Sequence, residues 1–341
     1  MGSLLIILLL VLFGLVPRPA CAQYQLAFTT CAGGPSTGCS GGHNASWAYS
    51  SGGSVTNLHA NDNNYVAWSR NGLQIAYASG GLIYRCQVSN CAGTVVQLSP
   101  SGDSTATSVD NAPDWSPDDN IIAFSHTIVI NQSPLTFAAY LEVMSAVDGS
   151  GAHAILGNGT NNFQEPRFSP NGTTLVYATD LTKTAGNFQV WSCSVASCST
   201  TQTQLTNISG VVFDPFWTPD GTHILVKFVF VSPGNVNVGI MTNAGTGLTA
   251  LTSLVEPIES GQPSVSSDGT TIAYVVDDCT GLGSACYGQS DDHAPATVWL
   301  MNADGSNQRT TGLACAAISC SPVFNPSGVN SGSNGAQGSM W

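Results

Sequence analysis

The chain has 341 residues, only 8% of them charged, and a formal net charge of −13. Ordinary soluble domains contain about 25% charged residues, so most of this surface must be Ser, Thr, Asn, Gln and Gly. A surface this acidic, with seven Lys and Arg residues in all, cannot neutralise a run of phosphates. The composition therefore excludes nucleic acid as a partner and disfavours anionic membrane surfaces.

An apolar run of 13 residues, 4–16, lies close to the start of the chain. It is too short to cross a bilayer and is typical of the core of a signal peptide. The small-x-small pattern Ala20-Cys21-Ala22 predicts a signal peptide over residues 1–22 and a mature chain from Gln23. A lipoprotein acylated at Cys21 is the alternative, although Arg18 and Pro19 stand where a lipobox has small or aliphatic residues. No later stretch is long and apolar enough to span a membrane, so we expect a secreted, extracellular protein, with the periplasm as the other compartment.

Ten cysteines follow Cys21 and form five local pairs. Close pairs in an exported chain predict disulfides made in an oxidising compartment. A zinc site is disfavoured, since no four ligands occur at the close spacing that structural zinc requires. The predicted pairs are Cys31/Cys39, Cys86/Cys91, Cys193/Cys198, Cys279/Cys286 and Cys315/Cys320.

Six copies of one pattern run along the chain: an aromatic or apolar anchor, a short polar turn such as Ser-Pro-Asp-Gly, then an apolar strand. The anchors are Trp68, Trp115, Phe168, Trp217, Val265 and Phe324, separated by 47, 53, 49, 48 and 59 residues. A period of this size indicates a repeat architecture whose units cannot bury a core alone.

One repeat, residues 165–206, reads as four antiparallel strands. Short strands at 166–168, 174–177, 188–193 and 203–206 are joined by turn sequences, the first of them Ser169-Pro-Asn-Gly172. Pro presets the backbone of such a turn and Gly closes it. Four strands in about 45 residues make one propeller blade.

The two chain ends are predicted to share a blade. Segments 24–30, 46–49 and 55–58 resemble strands two to four of a repeat, and segment 322–324 supplies a first strand. Such a composite blade would close a ring and leave no free strand edge. The expected fold is therefore an all-β, six-bladed propeller over residues 23–328, followed by a flexible Gly/Ser/Asn-rich tail at 329–341.

The turn Trp217-Thr-Pro-Asp-Gly221, the strand Ile75-Ala-Tyr77 and the hairpin Asp304-Gly-Ser306 together resemble the TolB-type, WD-like propeller repeat over residues 24–328. The resemblance implies a bare propeller without the N-terminal domain that TolB carries. The wider group includes peptidase propellers and glycan-active propellers, so the resemblance implies a fold rather than an activity.

Acidic residues precede several predicted first strands, which line the channel of a propeller. Carboxylates converging at one channel mouth could hold Ca²⁺ through oxygen ligands. The alternative is that Asp or Asn before Pro simply caps the turn into each strand. The candidate ligands are Asp62, Asp110, Glu165, Asp214 and Glu259.

A catalytic motif is weakly represented. Gly38-Cys-Ser-Gly-Gly42 matches the G-x-S-x-G pattern of a serine hydrolase, but it lacks the strand before and the helix after the Ser that such an elbow requires. No cofactor is predicted with certainty; Ca²⁺ is the candidate. Five sequons are candidate glycosylation sites: Asn44, Asn131, Asn158, Asn171 and Asn207.

These features predict a secreted, non-catalytic propeller that acts as a protein- or glycan-binding or structural module. One alternative is an extracellular polysaccharide lyase or hydrolase with its site at the channel mouth. Another is a self-assembling subunit of an extracellular filament or surface layer, because the tail ends in an aromatic residue, Trp341, that could dock onto another copy.

Overall fold

The computed structural model describes the parts of the chain that build the sheets. These are residues 23–31, 43–49, 55–60, 63–99, 108–132, 135–182, 187–230, 235–278, 280, 296–315, 320 and 322–330. The predicted signal peptide and most of the predicted tail lie outside the described residues, as does the G-x-S-x-G segment. None of the described helices is long and apolar enough to span a membrane.

Among the described residues every element longer than six residues is a β-strand. The N-terminal strands are β1 (Gln23–Cys31), β2 (His43–Tyr49) and β3 (Thr56–Ala60). The first blade contains β4 (Asn63–Trp68), β5 (Gln74–Ser79), β6 (Leu82–Gln87) and β7 (Val96–Gln97). A 3₁₀ turn (Val88–Asn90) and the short helix α1 (Cys91–Thr94) connect β6 to β7.

The second blade contains β8 (Ser108–Trp115), β9 (Ile121–Gln132), β10 (Leu135–Ser145) and β11 (His153–Leu156). The third contains β12 (Phe163–Phe168), β13 (Thr174–Thr179), β14 (Gln189–Ser194) and β15 (Thr203–Gln204), with a 3₁₀ segment at Val195–Thr200. The fourth contains β16 (Gly210–Trp217), β17 (His223–Phe230), β18 (Val236–Thr242) and β19 (Thr249–Ala250).

The fifth blade contains β20 (Ile258–Val265), β21 (Thr271–Asp278), β22 (Ala296–Asn302) and β23 (Arg309–Cys315), and the last strand is β24 (Val323–Asn330). In each of these five blades the four strands are consecutive and hydrogen-bonded in chain order. The prediction of a propeller with four-stranded antiparallel blades is confirmed. Five blades of consecutive strands are present, whereas the sequence analysis counted six by including the blade shared between the chain ends.

The two chain ends do pair with each other. A four-stranded sheet has the order β24-β1-β2-β3, with Leu26 opposite Phe324 and Ala27 opposite Val323. The pairing continues to Tyr24 opposite Val329, so β24 extends into the segment predicted as tail. We call this sheet the shared sheet.

The shared sheet is buried on both faces. On one face Tyr24, Leu26 and Phe28 join a cluster with fifth-blade residues such as Val298. On the other face Ala27 packs in a cluster with first-blade residues such as Trp68. Because both faces contact blades, the shared sheet lies between the fifth blade and the first.

The repeated turn is held by its own side chains, which explains the polar residues of the pattern. In the third blade the Ser169 hydroxyl donates to Asn171 Oδ1 at 2.8 Å and accepts from the Thr174 amide at 3.0 Å. Asn171 Oδ1 also accepts from the Thr173 amide at 3.1 Å. The same three bonds recur in the turns that begin at Ser69, Ser116, Thr218 and Ser266. Such side-chain bonds compete with further strand pairing and fix the turn.

The Trp anchors join neighbouring sheets. Trp115 Nε1 donates to the carbonyl of Ala67 at 3.2 Å, and Trp217 Nε1 donates to that of Arg167 at 3.3 Å. Trp68 Nε1 donates in the same way to the carbonyl of Val323, at 3.0 Å. Each indole therefore buries its ring between sheets and satisfies its single donor on the neighbouring sheet.

Three of the five predicted disulfides are present among the described residues: Cys86–Cys91, Cys193–Cys198 and Cys315–Cys320. Cys39, Cys279 and Cys286 lie outside the described residues, as does the side chain of Cys31, so the other two pairs stay predictions. The first two disulfides each enclose the link from the third strand of a blade to its short fourth strand. That link contains short helical segments, where the sequence analysis expected a turn.

Candidate functional site: a funnel where the inner strands end

The first strand of each blade, and β24 in the shared sheet, are called the inner strands. A cavity of about 270 Å³ opens where these inner strands end. Its lining comes from every blade and from the shared sheet, because each contributes the last residues of its inner strand or the turn that follows. We call this cavity the funnel. Its lining residues are Val66, Ala67, Trp68, Arg70, Asp114, Pro117, Arg167, Phe168, Pro170, Phe216, Trp217, Pro219, Val265, Ser267, Val323, Phe324 and Pro326.

The repeat itself makes the funnel apolar. The anchors contribute rings such as Phe168 and Trp217, and the residue two positions after the anchor contributes Pro117, Pro170, Pro219 and Pro326. Arg70 stands at this Pro position in the first blade, and Ser267 stands there in the fifth. The departures from the repeat therefore place a guanidinium and a hydroxyl at two of the six positions where the repeat otherwise has Pro.

Arg70 is paired within the protein. Its Nη2 lies 3.2 Å from Asp114 Oδ2 and donates to the carbonyl of Trp115 at 2.8 Å. The same Asp114 oxygen accepts from the Phe168 amide at 2.8 Å. Asp114 therefore ties together the turn of the first blade and the inner strands of the second and third.

Arg167 is bonded differently. Its Nη1 donates to the carbonyls of Pro113 and Pro166, both at 3.3 Å. Among the described residues no carboxylate forms an ion pair with this guanidinium. Arg167 also lines a second, much smaller cavity of about 10 Å³ next to Asp214 and Gln262, so it stands between the funnel and the interior of the channel.

Further inside, every inner strand of the five blades contains a β-bulge at the same position. The residue three before each anchor has a left-handed backbone, with φ between 49° and 56°, and the strand register shifts there. Left-handed backbone is unfavourable for residues other than Gly, by roughly 1–2 kcal/mol each. These bulge residues are Tyr65, Ala112, Glu165, Asp214 and Gln262.

Carboxylates in the bulges bind the backbone of the next blade. Glu165 Oε2 accepts from the Asp214 amide at 2.7 Å, and Asp214 Oδ2 accepts from the Gln262 amide at 3.3 Å. Glu165 and Asp214 therefore have a structural role as links between blades.

Burial and the neighbouring Asp214 charge raise the pKa of Glu165 to about 8. Desolvation and the charges of Glu165 and Asp214 also raise the pKa of Tyr65, with a partial opposing effect from Arg167.

The largest effect on Lys227 is burial, which lowers its pKa, but the carboxylates of Asp214, Asp277, Glu259 and Glu165 together raise the pKa above its ordinary value. Gly261 leaves room for the Lys227 side chain, because a Cβ at position 261 would lie 2.7 Å from Lys227 Cδ.

The structure divides the predicted calcium ligands into separate groups. The described ones lie within first strands and not before them: Asp110 in β8, Glu165 in β12, Asp214 in β16 and Glu259 in β20. Glu165, Asp214 and Glu259 act together on Lys227. Asp110 pairs instead with His126, whose Nδ1 lies 2.6 Å from Asp110 Oδ1. Asp62 lies outside the described residues. In the described part of the chain no three His, Cys, Asp or Glu side chains are placed to hold a metal, and the calcium site stays a prediction.

The sequons fall in different settings. Asn158, Asn171 and Asn207 are exposed, and Asn171 holds the turn of the third blade through the bonds described above. Asn44 and Asn131 lie in strands β2 and β9, and their side chains lie outside the described residues. Glycosylation stays a prediction at all five.

Sequence reasoning missed the residues that give the funnel its charge. Arg70, Asp114 and Arg167 were not selected, because no catalytic or metal-binding motif contains them. Their signal is a position rather than a motif: Arg70 replaces a repeated Pro, and Asp114 and Arg167 directly precede anchors. Comparing equivalent positions of the repeats could have identified them.

No family model and no curated protein matches this chain. Solved structures do match. TolB from Acinetobacter baumannii is 17% identical with a TM-score of 0.64, over 89% of this chain and 66% of that one. A putative TolB from Agrobacterium tumefaciens is 16% identical with a TM-score of 0.62, over 87% of this chain and 92% of that one. An oligogalacturonate lyase in complex with manganese is 12% identical with a TM-score of 0.50, over 84% of this chain and 73% of that one. These likenesses show a TolB-type propeller fold, and the chain spans just under two thirds of the Acinetobacter protein.

Proposed function

We propose that this chain is an exported binding module. It is a six-bladed propeller that binds part of a partner protein or glycan in the funnel. The disulfides support export, because such bonds persist in oxidising compartments. The funnel carries the proposal, since apolar concave sites with a few placed polar groups are the usual form of binding sites. The described funnel residues include the Arg70–Asp114 ion pair and Arg167.

The shared sheet supports a closed ring of six blades. It contacts the first blade through Trp68 and the fifth through Ser264, whose hydroxyl donates to the carbonyl of Pro322. The Tyr24 hydroxyl also donates to Asp268 Oδ2 at 3.1 Å in the fifth-blade turn. With the shared sheet as the sixth blade, one funnel is lined all round.

Filling the funnel tests the proposal. Ser267 is exposed at the rim, so Ser267→Trp should narrow the opening without disturbing a core. Ser253→Trp is the matched control, because Ser253 is exposed in the loop after β19 and does not line the funnel. We expect saturation-transfer NMR with capped tripeptides and soluble oligosaccharides to show ligand signals for the wild type and Ser253→Trp that Ser267→Trp loses. Signals that persist unchanged in Ser267→Trp would refute the funnel as the site.

An extracellular polysaccharide-active enzyme is the second candidate. The Asp110–His126 pair favours it, because a carboxylate on Nδ1 fixes an imidazole tautomer that can act as a base. One protein of similar fold is an oligogalacturonate lyase. Turnover on a panel of uronic-acid polysaccharides, lost in Asp110→Asn, would support it. No turnover by the wild type on this panel would count against the enzyme.

Self-assembly stays a prediction of the sequence. Removing residues 331–341 should reduce the oligomer size in size-exclusion chromatography if the tail docks onto another copy. An unchanged elution volume would oppose this role.

A further inference from the structure

The described lining of the funnel carries a net positive charge in an acidic protein. Beyond the predicted signal peptide six Lys and Arg residues face 20 Asp and Glu residues. Two of those six basic residues, Arg70 and Arg167, line the funnel. In the described lining the only acidic residue is Asp114, which is already paired with Arg70.

We propose that the ligand of the funnel is an acidic peptide segment of a partner protein, in which an Asp or Glu carboxylate beside an apolar side chain pairs with Arg167. This inference rests on the proposed function and names the chemical class of its ligand. The apolar neighbour of the carboxylate packs against the prolines and anchor rings of the funnel.

Arg167, rather than Arg70, is the residue that selects the charge. The Arg70 guanidinium already has the Asp114 carboxylate at 3.2 Å and a carbonyl at 2.8 Å. Arg167 Nη1 donates to two carbonyls, both at 3.3 Å. The other N–H groups of the planar guanidinium are left for a ligand. A guanidinium fork matches a carboxylate in a bidentate arrangement.

The acid that precedes Arg167 by two residues does not neutralise it at neutral pH. Burial and the charge of Asp214 raise the pKa of Glu165 well above its ordinary value, which favours its neutral form. Its Oε2 is also directed to the Asp214 amide. The positive charge of Arg167 therefore remains uncompensated by this neighbour.

The walls favour a peptide over a sugar. Phe216, Val323 and Pro326 offer apolar surface, and an oligosaccharide would bury hydroxyls against them without partners. The volume of about 270 Å³ lies just below the usual range of small-molecule pockets, about 300–1,000 Å³. It therefore fits one or two anchoring side chains of a longer segment.

The test compares two capped peptides that differ in one charge. The probes are N-acetyl-Phe-Asp-Phe-amide and N-acetyl-Phe-Asn-Phe-amide, titrated by isothermal calorimetry into the full chain. We expect the wild type to bind the Asp peptide about tenfold more tightly, the size of effect of one charged hydrogen bond. The preference should shrink at high ionic strength, because salt screens partly exposed pairs.

Two charge-neutralising variants then locate the effect. Arg167→Gln should lose the preference for Asp and keep the affinity for the Asn peptide. Arg309→Gln changes the net charge equally, but Arg309 is exposed on β23 outside the funnel, so the preference should stay. If Arg167→Gln fails to fold, Arg167→Lys provides the second test: the preference should persist but weaken, because the charge remains and the fork is lost.

The outcomes separate this inference from the proposed function. Equal affinity of the wild type for the two peptides, or a preference that survives Arg167→Gln, would overturn the acidic-peptide inference while loss of binding in Ser267→Trp still supported the funnel. No binding of either peptide at millimolar concentration would also overturn the inference. Binding that Ser267→Trp leaves unchanged would overturn both.

Discussion

The indole Nε1 of Trp68 donates a hydrogen bond to the main-chain carbonyl of Val323, 255 residues later, at 3.0 Å. The first anchor of the chain therefore contacts the last inner strand, at the seam where the shared sheet meets the first blade. Trp217 makes the equivalent bond to Arg167 between two blades that are consecutive in the chain.

Trp68→Phe should open this seam. It removes one buried hydrogen bond and leaves the Val323 carbonyl without its indole donor, so the free energy of unfolding should fall by about 1–3 kcal/mol. Trp217→Phe is the control, because it removes the equivalent hydrogen bond between two consecutive blades and should destabilise the protein by a comparable amount. Limited proteolysis followed by mass spectrometry should show faster cleavage near both chain ends in Trp68→Phe alone; equal cleavage patterns in the two variants would contradict a special role for the seam.

Asp114 should matter more for stability than the arginine with which it pairs. Its Oδ2 also accepts from the Phe168 amide, and a buried amide without an acceptor destabilises a protein by about 1–3 kcal/mol. We therefore expect Asp114→Ala to lower the free energy of unfolding more than Arg70→Ala in urea titrations. Asp114→Asn should recover part of the loss because its oxygen still accepts; a larger effect of Arg70→Ala would argue against this order.

Acid should weaken the repeated turns that carry Asp. Hydrogen bonds from Thr218 and Thr222 lower the pKa of Asp220 to about 2, against about 3.9 in an unfolded chain. Because the folded-state pKa is the lower one, this stabilisation is present above about pH 4 and disappears as the pH falls toward 2. Asp220→Asn should flatten the acid side of the melting-temperature profile, and Asn171→Asp, the reverse change in the third-blade turn, should steepen it. Parallel profiles for all three proteins would contradict the assignment.

Glu165 should give the opposite pH dependence. Its pKa is raised from 4.5 to about 8 by burial and by Asp214, so ionising it in the folded protein is unfavourable. Stability relative to the unfolded chain should therefore decline as the pH rises from about 4.5 through 8. Glu165→Gln retains an oxygen for the Asp214 amide, and its melting temperature should gain on the wild type at pH 9 compared with pH 5. An unchanged difference would show that Glu165 ionises normally.

The two short disulfides should stabilise their blades to a similar degree. Loops closed by Cys86–Cys91 and Cys193–Cys198 have the same sequence separation of five, and a loop this short gives about 2 kcal/mol from chain entropy. Replacing either pair with Ser should lower the free energy of unfolding by about that amount. A negligible change in both double variants would show that the surrounding hairpins are already fixed by other contacts.

The sequence predicted the repeat, the turn positions and the pairing of the chain ends, because these depend on local chemistry that recurs in register. Asp119 could not be explained from its own repeat. It occupies the turn position where the other copies have Gly, with φ of 60°. Its carboxylate accepts a hydrogen bond from the Asn71 amide of the first blade. That contact lies between blades, where a local pattern cannot show it.

The funnel was harder to predict than the fold. The ring brings Arg70 and Arg167 to one cavity although they lie far apart in the chain, and neither belongs to a motif. The bulges moved Glu165 and Asp214 from predicted strand starts into strand interiors, where they bind backbone amides. A single sequence shows neither the register shift nor the neighbour that each blade provides.

Hydrogen–deuterium exchange at the shared sheet tests the closed ring most directly. Peptide-resolved mass spectrometry should find the amides of Leu26 and Phe324, which lie in paired strands, exchanging as slowly as those of inner strands β8 and β12. Complete exchange of β1 and β24 within seconds, while β8 and β12 remain protected, would mean that the chain ends do not pair and that the ring is open.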